Sequence, residues 1–310
     1  MDDNTITGEV AFDAPGAGKP CKTWYKVLGN IGASQTPLVA LHGGPGAGHD
    51  YLAALCDLHE KHGIPIVFYD QIGCGRSTHL REKMGDTSFW TFDLFVRELD
   101  NLINHLHLRG GFYLYGSSWG GMLASYYAST SPPGLKKLIL LSAPASVPLY
   151  VEGCKGLLAG LPEDVRRTLE ECDRKGDHES DEFKTAAQIF MKKHVCRVDP
   201  MPEAVQRSLD NLKDDPTAYL TMQGPSEFII IGKAFKDWEG FRFGHKIAVP
   251  TLLINGQYDE VQDTSFEPWF HTIPKVRWVT LEGASHMSPW EAHDKFTQIA
   301  GSFLTSNIAV

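Results

Sequence analysis

Residues 116–120 read Gly-Ser-Ser-Trp-Gly, which fits G-x-S-x-G with Ser118 at its centre. The preceding "GFYLYG" (111–116) is strand-like, and the following "GMLASYYAST" (121–130) is helix-like. A strand that turns abruptly into a helix strains its central residue, and glycines two positions either side leave room for the close approach. The Ser118 hydroxyl is then held at a helix N-terminus, where backbone N–H groups and the helix dipole favour developing negative charge. The chemistry this suits is nucleophilic attack on a carbonyl. Ser117 is the rival nucleophile but lacks glycines in those places. A plain Gly/Ser-rich turn is the competing reading, and a strand–turn–helix setting decides between them.

A serine at its ordinary pKa is a weak nucleophile and needs a base. The partner order that goes with this motif is Ser, acid, His. Asp259 follows an apolar run in "VPTLLINGQYDEV" (249–261), and His286 follows the last such run in "VTLEGASHMSPWE" (279–291). His286 is expected to take the proton from Ser118 and return it to the leaving group, with Asp259 holding the imidazole tautomer. The chain has 13 histidines, so His286 stands out only by position. Beside Asp259 lies Glu260, and in an extended or tightly turned chain two adjacent side chains are not expected to point the same way.

The glycine-rich "LHGGPGAG" (41–48) ends an early apolar run. Its Gly44 and the residue after the nucleophile, Trp119, are the expected N–H donors to an oxyanion. In a second turn, "YDQIGCGRS" (69–77), Asp70 and Arg76 are expected to brace the loop rather than react. It is no phosphate loop, since G-x-x-x-x-G-K-[ST] is absent.

These groups need elements to position them. Six short runs are β-rich and nearly continuous in apolar residues: 36–43, 64–70, 111–117, 136–143, 249–256 and 276–283. Such runs suit strands buried on both faces of a parallel sheet. Between them, Phe92, Phe95, Val96, Leu99, Leu102, Ile103 and Leu106 follow helical spacing, and Ile299 and Phe303 mark a closing helix. Alternating strand and helix predicts an α/β fold, a mostly parallel sheet flanked by helices. The alternation breaks at about residues 145–245. There Val165/Leu169/Cys172, Phe183/Ala187/Phe190 and Val205/Leu209/Leu212 each mark one face of a helix. The expected division is a core of 1–145 and 246–310 with a helical cap of 146–245 over the ligand crevice.

Composition narrows the function. The 310 residues are 42% hydrophobic and 22% charged, with a formal net charge of −9. No Lys/Arg cluster stands out, which argues against a nucleic-acid partner. The acidity is compatible with a cationic small substrate. The six cysteines form no CxxC pair and no zinc-binding pattern with histidine. The start "MDDNTITGEVAFDAPG" is neither basic nor apolar, and no run approaches the ~20 apolar residues of a membrane helix. The expectation is a cytoplasmic enzyme without cofactor or metal, with no membrane partner.

Together, "HGGPG" (42–46), "DQIGCGRS" (70–77), "GSSWGG" (116–121), "GPSEF" (224–228), "DW" (237–238), "GQYDEV" (256–261) and "SHMSPWE" (285–291) resemble the proline iminopeptidase family of the α/β-hydrolase fold. That family is related to the tricorn-interacting aminopeptidase and to L-amino-acid amidases. Ile72 stands where many relatives have arginine, and Ser117 where many have a second glycine. The resemblance implies a serine hydrolase that releases an N-terminal residue, often proline, from peptides or small amides. It implies that Glu227 and Glu260 receive the charged amino or imino group, a cation whose burial demands a negative partner. Gly43 and Phe228 complete the expected substrate-binding set, with Trp119 and Trp238 as further aromatic lining. A related amidase or esterase acting on a non-peptide small molecule in secondary metabolism is the second expectation. A non-catalytic ligand receptor on the same scaffold is the third. Ser118 at the elbow argues against epoxide hydrolysis and dehalogenation, which generally use aspartate there.

Overall fold

The computed structural model, which describes residues 5–32 and 34–306, forms one sheet of eight strands. They are β1 (Thr5–Phe12), β2 (Cys21–Leu28), β3 (Leu38–Leu41), β4 (Ile66–Asp70), β5 (Phe112–Ser117), β6 (Leu135–Leu141), β7 (Thr251–Gly256) and β8 (Val276–Leu281). The spatial order is β1-β2-β4-β3-β5-β6-β7-β8. β2 runs antiparallel to both β1 and β4, and every pair from β4 to β8 is parallel. All six apolar runs are strands, and β3, β4 and β7 are buried along their whole length. β8 differs from expectation. As an edge strand it is half-exposed rather than covered on both faces. The hairpin β1–β2 was not expected, because its apolar residues alternate with Lys22, Lys26, Thr7 and Glu9 instead of running together.

The helices are α1 (Cys56–His62), α2 (Phe92–His105), α3 (Trp119–Ser129), α4 (Val147–Ala159), α5 (Glu163–Lys175), α6 (Asp181–His194), α7 (Glu203–Asp214), α8 (Thr217–Met222), α9 (Phe241–Gly244), α10 (Asp263–Thr272), α11 (Ser288–Glu291) and α12 (His293–Thr305). Side-chain oxygens start three of them: Thr91, Ser146 and Ser180 accept from the N–H of Leu94, Leu149 and Phe183. Between β6 and β7 the named elements are helices only, α4 to α9. Val165, Leu169 and Cys172 form the buried face of α5, and Phe183 and Phe190 that of α6. On α7 the buried face is Ala204, Val205 and Ser208, rotated from the expected one, and Ser208 Oγ accepts from Tyr51 N–H. Residues 1–4 and 307–310, the ends of the expected core segments, lie outside the described residues. No helix among the described residues is long and apolar enough to cross a membrane. All six cysteines carry free thiols.

One buried acid interrupts the apolar stripe of α2. Glu98 is fully buried; its Oε1 accepts from Thr23 Oγ1 at 2.5 Å and from the Ile72 N–H at 2.8 Å. It thereby ties α2 and β2 to the turn after β4. Burial pushes its pKa up to about 8, against the pull of those two hydrogen bonds. A carboxyl whose pKa is raised by folding contributes stability that is complete below its unfolded pKa and is lost as pH rises toward the folded one. Wild-type stability should therefore carry a falling component of about 1.4 kcal/mol per pH unit between roughly pH 4.5 and 8. Glu98→Gln, the uncharged isostere, should gain on the wild type across that window in urea titrations, and a constant gap would contradict it.

Candidate active site

Ser118 sits at the joint between β5 and α3 with φ 56° and ψ −123°, a conformation side chains rarely adopt. Its N–H donates to Leu141 O of the neighbouring strand at 2.9 Å, and its own carbonyl accepts from Gly121 and Met122. A Cβ on Gly116 would collide with the Gly120 carbonyl, and one on Gly120 would collide with the carbonyls of Leu41 and His42. Both glycines of the motif are thus required by close approach. Ser118 is half-buried and lines a pocket, whereas Ser117 is buried and faces a separate small cavity with Tyr51, Tyr115 and His286.

Asp259 lies in the tight turn after β7, and His286 lies in the loop after β8. The β7–β8 ladder continues into these loops through Gln257 N–H to Leu281 O (3.0 Å) and Tyr258 N–H to Ala284 O (2.8 Å). His286 Nδ1–H donates to Asp259 Oδ1 at 2.9 Å, both groups being buried. The same Oδ1 accepts from Val261 N–H at 2.9 Å, and Oδ2 accepts from Ser142 Oγ at 2.5 Å. Glu260 is not turned away from its neighbour's partner. Its Oε1 lies 3.8 Å from the same His286 Nδ1. No hydrogen bond joins Ser118 Oγ to the imidazole; catalytic hydrogen bonds are often long without substrate and tighten with it.

The pocket that Ser118 lines also contains Glu227 and Glu260, with Trp119, Tyr150, Phe235 and Ile230 among its other walls. Glu227 is held by neutral donors: Tyr219 Oη–H to Oε1 at 2.9 Å and Gln223 Nε2–H to Oε2 at 2.8 Å. Tyr219 lies on α8, Gln223 caps its end, and Glu227 lies in the turn beyond it. Glu260 Oε2 is buried without a hydrogen-bond partner among the described residues. Burial, then the charge of Glu227, raises the Glu260 pKa well above the carboxylate range. Burial lowers that of His286, but Asp259, followed by Glu260 and Glu227, outweighs it and raises it to about 9. The shifts share a cause: carboxylates crowd one imidazole out of water, so the cluster holds protons tightly.

Three loops meet through Gln71, which is buried. Its N–H donates to His42 Nε2 at 2.9 Å, its Nε2 donates to His42 O at 2.9 Å, and its Oε1 accepts from Trp119 Nε1–H at 2.8 Å. Because His42 Nε2 accepts, the proton is on Nδ1, which donates to Gly43 O at 2.9 Å. Burial lowers the His42 pKa to about 4, so this tautomer stays neutral. Asp70 braces the second turn, accepting from His49 Nδ1–H at 2.7 Å and Arg76 N–H at 2.9 Å. Burial raises its pKa, but His49 and the other donors more than offset this and bring it to about 2. Among the described residues, the N–H groups of Gly44 and Trp119 donate to no protein acceptor outside the helices. That of Gly43 donates to Tyr51 Oη at 2.7 Å, so it is spoken for.

Two expected binding residues are not among the walls of this pocket. Phe228 does not line the pocket; its ring packs 4.9 Å from Phe190 and 6.3 Å from Phe183, in the helical layer. Gly43 does not line it either. An added Cβ there would come within 3.0 Å of Ser118 Cβ, so its part is to let the loop approach. Trp238 stacks on Phe92, again outside the pocket. Ser142, Tyr150, Tyr219, Gln223 and Phe235 belong to no motif, and Gln71, although inside the "DQIGCGRS" turn, has a role that only its distant partners reveal.

Comparison with known proteins shows the fold and the family. A family model described as the α/β hydrolase fold matches residues 36–293. The chain is 38% identical over 280 residues to the proline iminopeptidase of Saccharolobus solfataricus, covering 90% of this chain and 88% of that protein. It is similar to the crystal structure of VinJ, with a TM-score of 0.93 and 39% identity over 98% of this chain and 100% of that one. The proline iminopeptidase of Mycobacterium smegmatis matches with a TM-score of 0.84 and 32% identity, over 96% and 97% of the two chains.

Gln71→Met keeps the volume but strands the Trp119 indole N–H and the His42 carbonyl. With about 1–3 kcal/mol for each buried group left unpaired, the loss should be about 2–6 kcal/mol. The urea midpoint measures it, and a wild-type midpoint would show that Gln71 does not join the loops.

Proposed function

This chain belongs to the proline iminopeptidase family within the α/β-hydrolase fold, and from that premise we propose that it releases an N-terminal residue, preferably proline, from peptides or small amides. One observation carries the reading: Ser118 shares a small pocket with two glutamates, one of which has a buried oxygen without a partner. A carbonyl electrophile with a free amine one carbon away suits that pairing. The carbonyl meets the serine while the cation meets the carboxylates.

In this reading Ser118 Oγ bonds to the carbonyl carbon as His286 takes its proton, with Asp259 stabilising the imidazolium. The unengaged N–H groups of Gly44 and Trp119 receive the oxyanion. The C–N bond breaks as His286 gives the proton to the departing amine. Water then attacks the acyl-enzyme, its proton passing through His286 to Ser118 Oγ. Apolar walls including Phe235 and Ile230 suit a pyrrolidine ring, and the helices of 146–245 act as the cap that contributes Glu227.

The carboxylate cluster also couples binding to catalysis. It attracts positive charge, and protons on His286 and Glu260 are one way to supply it. A substrate cation between Glu227 and Glu260 supplies it instead, lowering the pKa of His286 so that the neutral imidazole needed as base is formed.

Hydrolysis of a prolyl anilide should vanish in Ser118→Ala. The N-acetylprolyl anilide should be a poorer substrate by at least about 100-fold in kcat/KM, equal to about 2.7 kcal/mol. Equal rates on the two anilides would refute the glutamate clamp. Glu260→Gln should shrink that ratio while Ser118 still reacts with a fluorophosphonate.

A pH profile tests the electrostatics. Labelling of Ser118 by a neutral fluorophosphonate should rise with pH as His286 loses its proton. Removing a carboxylate 3.8 Å from Nδ1 loosens that proton, so the rise should move to lower pH in Glu260→Gln. An unmoved or upward-shifted limb would mean that Glu260 does not act on the imidazole.

A further inference from the structure

Residues 194–197, where the chain leaves α6, pass between the loops that carry Asp259 and His286. His194 touches both. Its Nδ1–H donates to the carbonyl of Tyr258, the residue before Asp259, at 2.9 Å. Its own carbonyl accepts the N–H of His286 at 3.2 Å. The next residue repeats the tie, Val195 O accepting from Met287 N–H at 2.8 Å. Arg197 stacks its guanidinium 4.2 Å from the Tyr258 ring centre. Its N–H donates to Glu291 Oε1, which also accepts from Ser285 Oγ at 2.7 Å. The ladder between the two loops ends at Tyr258 N–H and Ala284 O. Beyond that point His194 spans them.

The choice of side chain is informative. His194 is buried, with its ring 5.0 Å from that of Phe190. A carbonyl can only accept, so Nδ1 carries the proton, and Nε2 is left buried without a partner among the described residues. Burial lowers its pKa, consistent with a neutral ring. A residue needed only for packing would be apolar there and would leave no nitrogen stranded. What the imidazole adds is the single hydrogen bond to Tyr258 O.

We propose that His194 is a positioning residue: its side chain grips the acid-bearing turn and its main chain grips the histidine-bearing loop, so that a helix of the inserted layer sets the spacing of Asp259 and His286. The proposal rests on the reading above, in which those two residues act together. It goes further in assigning a non-contacting residue of the helical layer to the alignment of the base. A misplacement on the order of 1 Å in such a pair lowers turnover by about 100-fold.

Three variants test it by steady-state kinetics on a prolyl anilide, with thermal melting as the check on folding. His194→Phe fills the space without a donor. His194→Asn carries an amide N–H near the Nδ1 position, and His194→Gln carries it one bond further out. The expected result is a kcat lower by about 10- to 100-fold in the Phe and Gln variants, KM within about 2-fold, and most of the turnover regained in Asn. Equal turnover in Asn and Gln, a change confined to KM, or an unaffected Phe variant would each overturn it. Should the Phe variant not fold, the Asn–Gln comparison decides alone. Ser118→Ala is run in parallel. If it keeps full activity, the functional reading fails, and that failure is distinct from any result at His194.

Discussion

Carboxylates buried around one imidazole are the constraint to which the rest of this site responds. An ionised carboxyl out of water must be paired or hydrogen-bonded, or it takes up a proton. The donors that meet this need are widely spread. Ser142 comes from the end of β6, Val261 N–H from the turn after β7, and His286 from the loop after β8. Tyr219 and Gln223 come from the end of α8, in the inserted layer. The site is therefore not a property of the sheet alone. Removing the inserted helices would leave Glu227 without its place and Tyr258 without the bond from His194.

Under the proposed mechanism, a second requirement is that the reacting groups be in place before substrate arrives. Dipoles fixed in advance stabilise developing charge without reorganising when the reaction occurs. Three loops carry those dipoles, and Gln71 joins them with three hydrogen bonds. Its network works only with His42 neutral and protonated on Nδ1, which burial secures. The strained backbone of Ser118 is held by the same packing. Its helix cannot relax, because Gly120 is pressed against the loop of His42. Trp119, whose indole reaches Gln71, is also a wall of the pocket, so the shape of the pocket and the aim of its N–H are set together.

Much of this was legible in the sequence, for reasons that also mark the limits. β3, β4 and β7 could be read because a strand covered on both faces must be apolar throughout. β1 and β2 could not, since an antiparallel hairpin with one solvated face mixes lysine and threonine into its pattern. The elbow at Ser118 announces itself because steric demand forces glycine at 116 and 120. Asp259 and His286 follow from strand order. Gln71, Ser142 and Glu98 are different. Their roles depend on partners 48, 117 and 75 residues away, and no local rule encodes such a pairing. Phe228 shows the opposite error. It was expected in the substrate-binding set as aromatic lining, but successive side chains diverge, and its ring packs in the helical layer.

That divergence makes the pair Asp259–Glu260 instructive, because these neighbours do not separate by direction. Both approach His286 Nδ1, at 2.9 and 3.8 Å. What separates them is the supply of donors. Asp259 receives hydrogen bonds on both oxygens from the protein itself, so its charge is anchored whatever enters the pocket. Glu260 has one buried oxygen, Oε2, with no hydrogen-bond partner among the described residues. A buried acceptor in that state gains most from whatever brings a proton or a cation to it. A free amino terminus brings a cation. An acylated one does not, and on proline it is a tertiary amide without an N–H, whose carbonyl brings a further acceptor to a site lined by two carboxyl groups. Selectivity for a free terminus can thus arise from one unsatisfied oxygen beside a fully satisfied aspartate, with no need for the two acids to face different ways.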